Sequence, residues 1–278
     1  MKKNLLLMLT TLFAILVLAA CGSADQGSTD ETSEEKEVFK VGLEAAYPPF
    51  NWTQKDDSNG AVKIEGSDEY AGGYDVEIAK RVAEALGKEL VIVKTDWEGL
   101  IPALQTNVID AVIAGMSPTD ERKQAIDFSD NYYLSEFVIV TKADGKYANA
   151  KTLADFAGAK VTSQMGTTNY NVIDQIPNVQ KEVAMNNFTE MRVALDTGVI
   201  DAYVAERPEA ISSTAANSKF VFIELEDGFE ISEADAAVAI GLRKGETNIE
   251  KINAALAEIS EEERQQLMDA AIQNQPAE

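Results

Sequence analysis

The chain has 278 residues, with 24 lysines and arginines against 47 aspartates and glutamates, a formal charge of −23. Such a field repels nucleic acid and anionic lipid, favours solubility and mildly attracts a cationic solute. The absence of histidine excludes Ser-His-Asp and Cys-His sites and removes the commonest metal ligand, while a lone cysteine excludes an internal disulfide.

The chain opens on Lys2 and Lys3, runs apolar from Leu5 to Ala20 and ends that run on small residues before Cys21. Residues 1–20 therefore read as a secretory signal peptide. The apolar run of 16 residues is shorter than a spanning helix requires. Leu18-Ala19-Ala20-Cys21-Gly22 resembles the lipobox of bacterial lipoproteins, which implies cleavage before Cys21 and a lipid on its sulfur. Residues 21–37 then form an acidic linker. Its sequence, GSADQGSTDETSEEKE after the cysteine, has no apolar periodicity and is expected to be disordered.

From Val38 the chain alternates strand-like and helix-like runs, which predicts an α/β fold. Strands are expected at Val38–Leu43, Leu90–Val93 and Ile109–Ala114. A helix is expected over Asp75–Leu86, from the spacing of Val76, Ile78, Ala79, Val82, Ala83 and Leu86. A short helix should hold Leu100–Leu104. Prolines 48 and 49 end any strand or helix and leave Tyr47 on a loop. The stretch Asp56 to Tyr70 is expected to be a surface hairpin.

The body repeats itself. Ala103–Ala114 reads ALQTNVIDAVIA and Ala194–Ala205 reads ALDTGVIDAYVA, with eight of twelve positions identical at an offset of 91. The same offset sets Trp97 over Phe188 and Gly115 over Glu206. A looser match sets Lys40-Val41 over Lys160-Val161, at an offset of 120. Two lobes of similar topology follow. Ligands of such sheets sit beyond the carboxyl ends of the strands, so Gly115 and Glu206 should face one cleft.

Several residues could hold a ligand there. Thr119 is a helix N-cap candidate, and Arg122 one turn later can offer two parallel donors to a carboxylate, with Ser117 adding a hydroxyl. Arg122 could equally pair with Glu121 or Asp127. Glu206, an acceptor only, suits an ammonium, or else pairs with Arg207 or caps a turn before Pro208. Tyr47 and Trp97 near strand ends could sandwich a side chain, or could be core. Gly166-Thr167-Thr168 could bring donors close. No carboxylate spacing marks an acid–base pair, and no phosphate loop or EF-hand is present.

Gly73-Tyr74-Asp75-Val76-Glu77-Ile78-Ala79-Lys80-Arg81-Val82-Ala83-Glu84-Ala85-Leu86 resembles the signature of the family 3 solute-binding proteins, receptors of amino acid ABC importers. MSPTDERKQAIDFSDNYY, Met116 to Tyr133, resembles that family's second hallmark, and Ile240 to Gly245 its return segment. The resemblance spans about Val38 to Ala271. It implies an α/β, two-lobe periplasmic-binding-protein-like (type II) fold with two hinge crossovers. Lobe 1 would take residues 38–133 plus 233–278 and lobe 2 residues 138–225, with hinges about 134–137 and 226–232.

Carried over by position, Arg122 and Ser117 would bind the ligand carboxylate, with Thr168 opposite. Glu206 would hold the ammonium, and Gly115 would add a backbone carbonyl. Tyr47 and Trp97 would form the walls, and Glu44 would read the side chain. Glu206 departs from the commoner aspartate. Gln164 stands where glutamine receptors carry lysine. The expectation is a non-enzymatic, cofactor-free, monomeric receptor for a cationic amino acid, arginine or lysine. It would be anchored by Cys21 on the outer face of a Gram-positive membrane and serve a permease. A receptor for glutamine, cystine or another polar amino acid, and a dehydratase-like enzyme on the same fold, are the alternatives.

Overall fold

The computed structural model describes residues 37–276. The expected signal peptide, Cys21 and the linker up to residue 36 lie outside the described residues, as do residues 277–278.

The chain begins with β1 (Val38–Leu43), β2 (Ala46–Tyr47), β3 (Asn51–Gln54), β4 (Val62–Lys63) and β5 (Tyr70–Gly72). Next come α1 (Tyr74–Leu86), β6 (Glu89–Lys94), α2 (Leu100–Gln105), β7 (Ala111–Val112), α3 (Asp120–Ala125) and β8 (Asp127–Leu134). The middle of the chain holds β9 (Phe137–Lys142), β10 (Lys160–Thr162), α4 (Thr168–Asn171), β11 (Gln180–Lys181), α5 (Phe188–Thr197), β12 (Ala202–Glu206), α6 (Arg207–Ala216) and β13 (Phe220–Ile223). It closes with α7 (Glu233–Ala236), β14 (Ala237–Leu242), α8 (Ile249–Ala257) and α9 (Glu261–Asn274).

Two five-stranded sheets share one plan. Their orders are β6-β1-β7-β14-β8 and β11-β10-β12-β9-β13. In each, the first three strands are parallel, and the last two run antiparallel to their neighbours. The chain crosses between the sheets twice, from β8 to β9 and from β13 through α7 to β14. Helices cover the sheets, so strands such as Ala237–Leu242 are buried throughout and read as continuous apolar runs.

The internal repeat has a structural cause. Val41 lies beside Ala111 in one sheet, and Val161 beside Ala202 in the other. In each half an aspartate closes the start of this parallel pair. Asp110 accepts from the Lys40 amide at 3.0 Å, and Asp201 from the Lys160 amide at 2.9 Å. The backbone returns the bond, Asp110 N–H to the Lys40 carbonyl and Asp201 N–H to that of Lys160. These donors would otherwise be unpaired at a strand end. Asn107 and Gly198, also 91 apart, both take left-handed φ (61° and 78°), a conformation open to few other residues.

Helix α1 starts at Tyr74, one residue before the expected Asp75, and buries Val76, Ile78, Ala79, Val82 and Ala83 on one face. The ladder of β1 begins at Glu37, whose carbonyl accepts from Glu89 N–H. Of the expected strand Ile109–Ala114 only Ala111–Val112 is regular strand. The hairpin expected near residues 56–70 is present as part of a small sheet, β2-β3-β5-β4.

Tyr47 corrects its expectation. It is not on a loop but in β2, paired with Asn51, and Pro48 and Pro49 form the turn of the hairpin. Prolines block continuation, yet a turn needs no amide there and tolerates them. Each lobe has its own buried residues, such as Val41, Ile92 and Ile240 in lobe 1 and Phe156, Val161 and Val204 in lobe 2. Phe188, Met191 and Tyr203 of lobe 2 join the cluster of lobe 1.

Candidate functional site

The site residues cluster where the two lobes meet. Helix α3 carries Arg122, and its cap is the expected one: the Thr119 hydroxyl accepts from the Arg122 amide at 3.2 Å. The Arg122 guanidinium bonds to neither Glu121 nor Asp127. Asp127 pairs with Lys244 at 2.7 Å instead. Arg122 donates to two carbonyls, Ser117 O within lobe 1 and Gly166 O of lobe 2, each at 2.9 Å. The face of Trp97 lies 5.0 Å from the guanidinium carbon, within cation–π range. Burial pulls the Arg122 pKa down to about 10, against the pull of Glu121, Glu206 and Asp235. It remains a cation at neutral pH.

The Ser117 hydroxyl donates to the Asp235 carbonyl at 3.0 Å, so it ties α3's approach loop to the α7 crossover. Gly115 takes a left-handed φ of 64°. A β-carbon there would come within 2.8 Å of the Tyr47 ring, so only glycine fits this turn.

Glu206 ends β12, is 7% exposed and makes no pair with Arg207. Arg207 pairs with Glu224 and Glu136. The Glu206 carboxylate accepts from the Tyr47 hydroxyl of lobe 1 and from Asn169 Nδ2 at 2.8 Å. Burial raises its pKa, while Tyr47, Asn169 and Arg122 oppose the rise. Burial chiefly, and then Glu206, push the Tyr47 phenol far above its ordinary value, so it acts as a donor only. Its ring stacks on Phe50 at 5.0 Å and on Phe188 at 4.6 Å.

Glu44 and Gln164 meet across the lobes. Gln164 Nε2 donates to Glu44 Oε1 and to the Asn186 carbonyl, each at 2.9 Å. These two residues are 120 apart, the offset that relates β1 to β10. Burial raises the Glu44 pKa to about 7; the Gln164 bond lowers it and Asp96 adds to the rise. Thr167 caps α4, and Thr168, its first residue, is half-buried.

The structure thus brings two pairs into contact across the lobes, Tyr47 with Glu206 and Glu44 with Gln164, with Gly115 behind Tyr47. Trp97, Arg122 and Gly166 line a separate cavity of about 350 Å³, together with Met116 and Asn171. Neither Glu206 nor Glu44 lines that cavity; each accepts a bond from the facing lobe, and Glu206 another from Asn169 of its own. Among the described residues no cluster of three or more metal-binding side chains occurs. Nor is any described helix long and apolar enough to cross a membrane. Sequence reasoning missed Asn169 and Phe50. It also passed over Phe188, although the 91-residue offset pairs it with Trp97.

The chain and its fold have relatives among known sequences and structures. The sequence model for bacterial extracellular solute-binding proteins, family 3, matches residues 39–273. A probable histidine-binding protein of Campylobacter jejuni is 31% identical over 232 residues, 83% of this chain and 84% of that protein. The arginine-binding extracellular protein ArtP of Bacillus subtilis is 30% identical over 266 residues, 94% of each. An amino acid ABC transporter substrate-binding protein of Streptococcus pneumoniae, solved with L-arginine, superposes with a TM-score of 0.75 at 26% identity, covering 85% of this chain and 94% of that one.

Proposed function

The chain belongs to the bacterial extracellular solute-binding proteins of family 3, and from that premise we propose that it captures a cationic amino acid, arginine or lysine, for an ABC importer. One observation carries this reading. Arg122 and Glu206 are opposite charges on the two sides of the lobe interface, each within electrostatic reach of the other, and among the described residues each side chain bonds to neutral protein groups: carbonyls for Arg122, a phenol and an amide for Glu206. An amino acid zwitterion has the complementary pair. Its carboxylate would take the donors of Arg122, and its ammonium would replace the Tyr47 hydroxyl at Glu206. Charge-assisted bonds of this kind contribute roughly 1.5–3 kcal/mol each.

Glu44 is the group for the ligand side chain. With Asp96 nearby it gives that end of the site negative potential. Relatives named for histidine and arginine favour the same class. Catalysis is no part of this proposal. The lipobox-like sequence at Cys21 supports an anchor on the outer membrane face of a Gram-positive cell, where the protein acts as a monomer beside its permease.

A second reading has its own support. A Glu44 pKa of about 7 leaves much of this carboxyl neutral at physiological pH. Protonated Glu44 beside Gln164 suits an uncharged polar side chain such as glutamine.

Calorimetry with a panel of amino acids separates the two. Heat with arginine or lysine, abolished by Arg122→Ala, is the expected result. Heat with glutamine or cystine alone would transfer the protein to the second reading. An Arg122→Ala variant that still binds would refute the zwitterion site itself.

A further inference from the structure

The Gly115 turn is held from behind by a buried network that never reaches the cleft. Tyr132 of β8 is fully buried, and its hydroxyl accepts from the Gly115 amide at 3.2 Å. The same hydroxyl donates to Asp75 Oδ1 at 2.7 Å. Asp75 stands in the first turn of α1, fully buried, and its other oxygen accepts from Asn51 Nδ2 at 2.8 Å. Asn51 Oδ1 is itself buried without a hydrogen-bond partner. A buried carboxylate and an unpaired amide oxygen are an expensive way to fill a core. Apolar residues of similar size would be the stable alternative, so the arrangement calls for a role.

The geometry supplies one. A hydroxyl bound to a carboxylate must point its proton there, which leaves its lone pairs for the Gly115 amide. Asp75 thereby sets the direction of Tyr132, and Tyr132, together with the Asp75 carboxylate that the Gly115 amide also faces, sets the height of the turn. On one side the turn presses against the Tyr47 ring, whose hydroxyl reaches Glu206. On the other it leads through Met116 to Ser117, whose carbonyl holds Arg122. A partner of each charge of the site, Tyr47 for Glu206 and Ser117 for Arg122, thus adjoins this single turn.

We propose that Asp75, acting together with Tyr132, is a positioning residue of the binding site, fixing the Gly115 turn against which Tyr47 packs and from which the chain leads to Arg122. The inference rests on the ligand reading above for its functional consequence. The geometry of the turn stands independently of it.

Tyr132→Phe removes both bonds and keeps the ring. Tyr74→Phe is the comparator: it deletes a similar buried bond, Tyr74 hydroxyl to the Tyr132 carbonyl at 2.9 Å, that does not touch Gly115. Amide exchange at Gly115, read by NMR on ligand-free protein, should accelerate in Tyr132→Phe and in Asp75→Asn, and not in Tyr74→Phe. With L-arginine, L-lysine and L-glutamine as probes, the affinity for whichever binds should fall about tenfold in Tyr132→Phe, the equivalent of one hydrogen bond. Tyr74→Phe should bind as the unaltered protein does. Unchanged Gly115 exchange in Tyr132→Phe overturns the proposal. So does an unchanged affinity, or an equal loss in Tyr74→Phe. If the unaltered protein binds none of the three probes, the ligand reading fails, and Gly115 exchange still decides the turn.

Discussion

At the scale of single residues, the site is a set of buried charges satisfied by neutral partners. Glu44 makes the pH consequence explicit. Its folded pKa, about 7, lies above the ordinary 4.5. Between those values the folded protein binds more protons than the unfolded chain, so this group's contribution to stability is full below 4.5 and is lost as pH rises through 7. Ligand-free protein should therefore lose thermal stability across that window, and Glu44→Gln should flatten the loss. Binding runs the other way. A cationic side chain favours ionised Glu44, so arginine affinity should strengthen from pH 6 to 8 and lose that slope in Glu44→Gln. A slope unchanged in the variant would remove Glu44 from the ligand. Much of this chemistry was legible in residue types. Arg122 and Glu206 have the charges an amino acid needs, and the offset of 91 put Glu206 opposite Gly115. Asn169 was not legible, because an asparagine three residues past a glycine turn has no pattern to mark it.

At the scale of elements, the short helix α3 matters most. Its six residues are too few to be stable alone. The Thr119 cap, with Asp120 and Glu121 in the first turn, holds it and hence Arg122. Thr119→Ala should cost about 1 kcal/mol of stability in denaturant unfolding. It should also weaken ligand binding, while Thr119→Ser retains both. Equal binding in the alanine variant would mean that Arg122 is placed by its carbonyl partners alone. This cap could be read from Thr-Asp-Glu-Arg directly, since capping is local chemistry. The same holds for α1, whose apolar face is periodic. Strand β2 could not be read so. Its two residues pair only because the chain turns at Pro48-Pro49, and the sequence marks the turn more loudly than the strand.

At the scale of the molecule, two sheets of one plan meet along a face that no local pattern announces. Tyr47 and Glu206 are 159 residues apart and Glu44 and Gln164 are 120 apart, yet each pair bonds directly. The repeat made the shared plan legible, because each half closes its parallel pair with the same aspartate. It could not reveal how far the halves approach. These cross-lobe bonds make a further expectation. Tyr47→Phe deletes one of them without changing the ring that packs on Phe188. The ligand-free variant should populate separated lobes more, giving a larger radius of gyration in solution scattering, and ligand should reverse the increase. Identical scattering from both proteins would show that apolar stacking at Phe188 suffices to hold the lobes.

The bond between Glu44 and Gln164 joins positions that correspond in the two halves. A dimer of identical copies would set each such side chain against itself. Two glutamates there would repel, and two glutamines would leave no acid to meet a cation. A single chain, in which corresponding positions mutate independently, can place an acid on one side of the axis and an amide on the other. Tandem linkage thus does more than keep the halves together: it permits a nearly symmetric frame to recognise a ligand that has no symmetry.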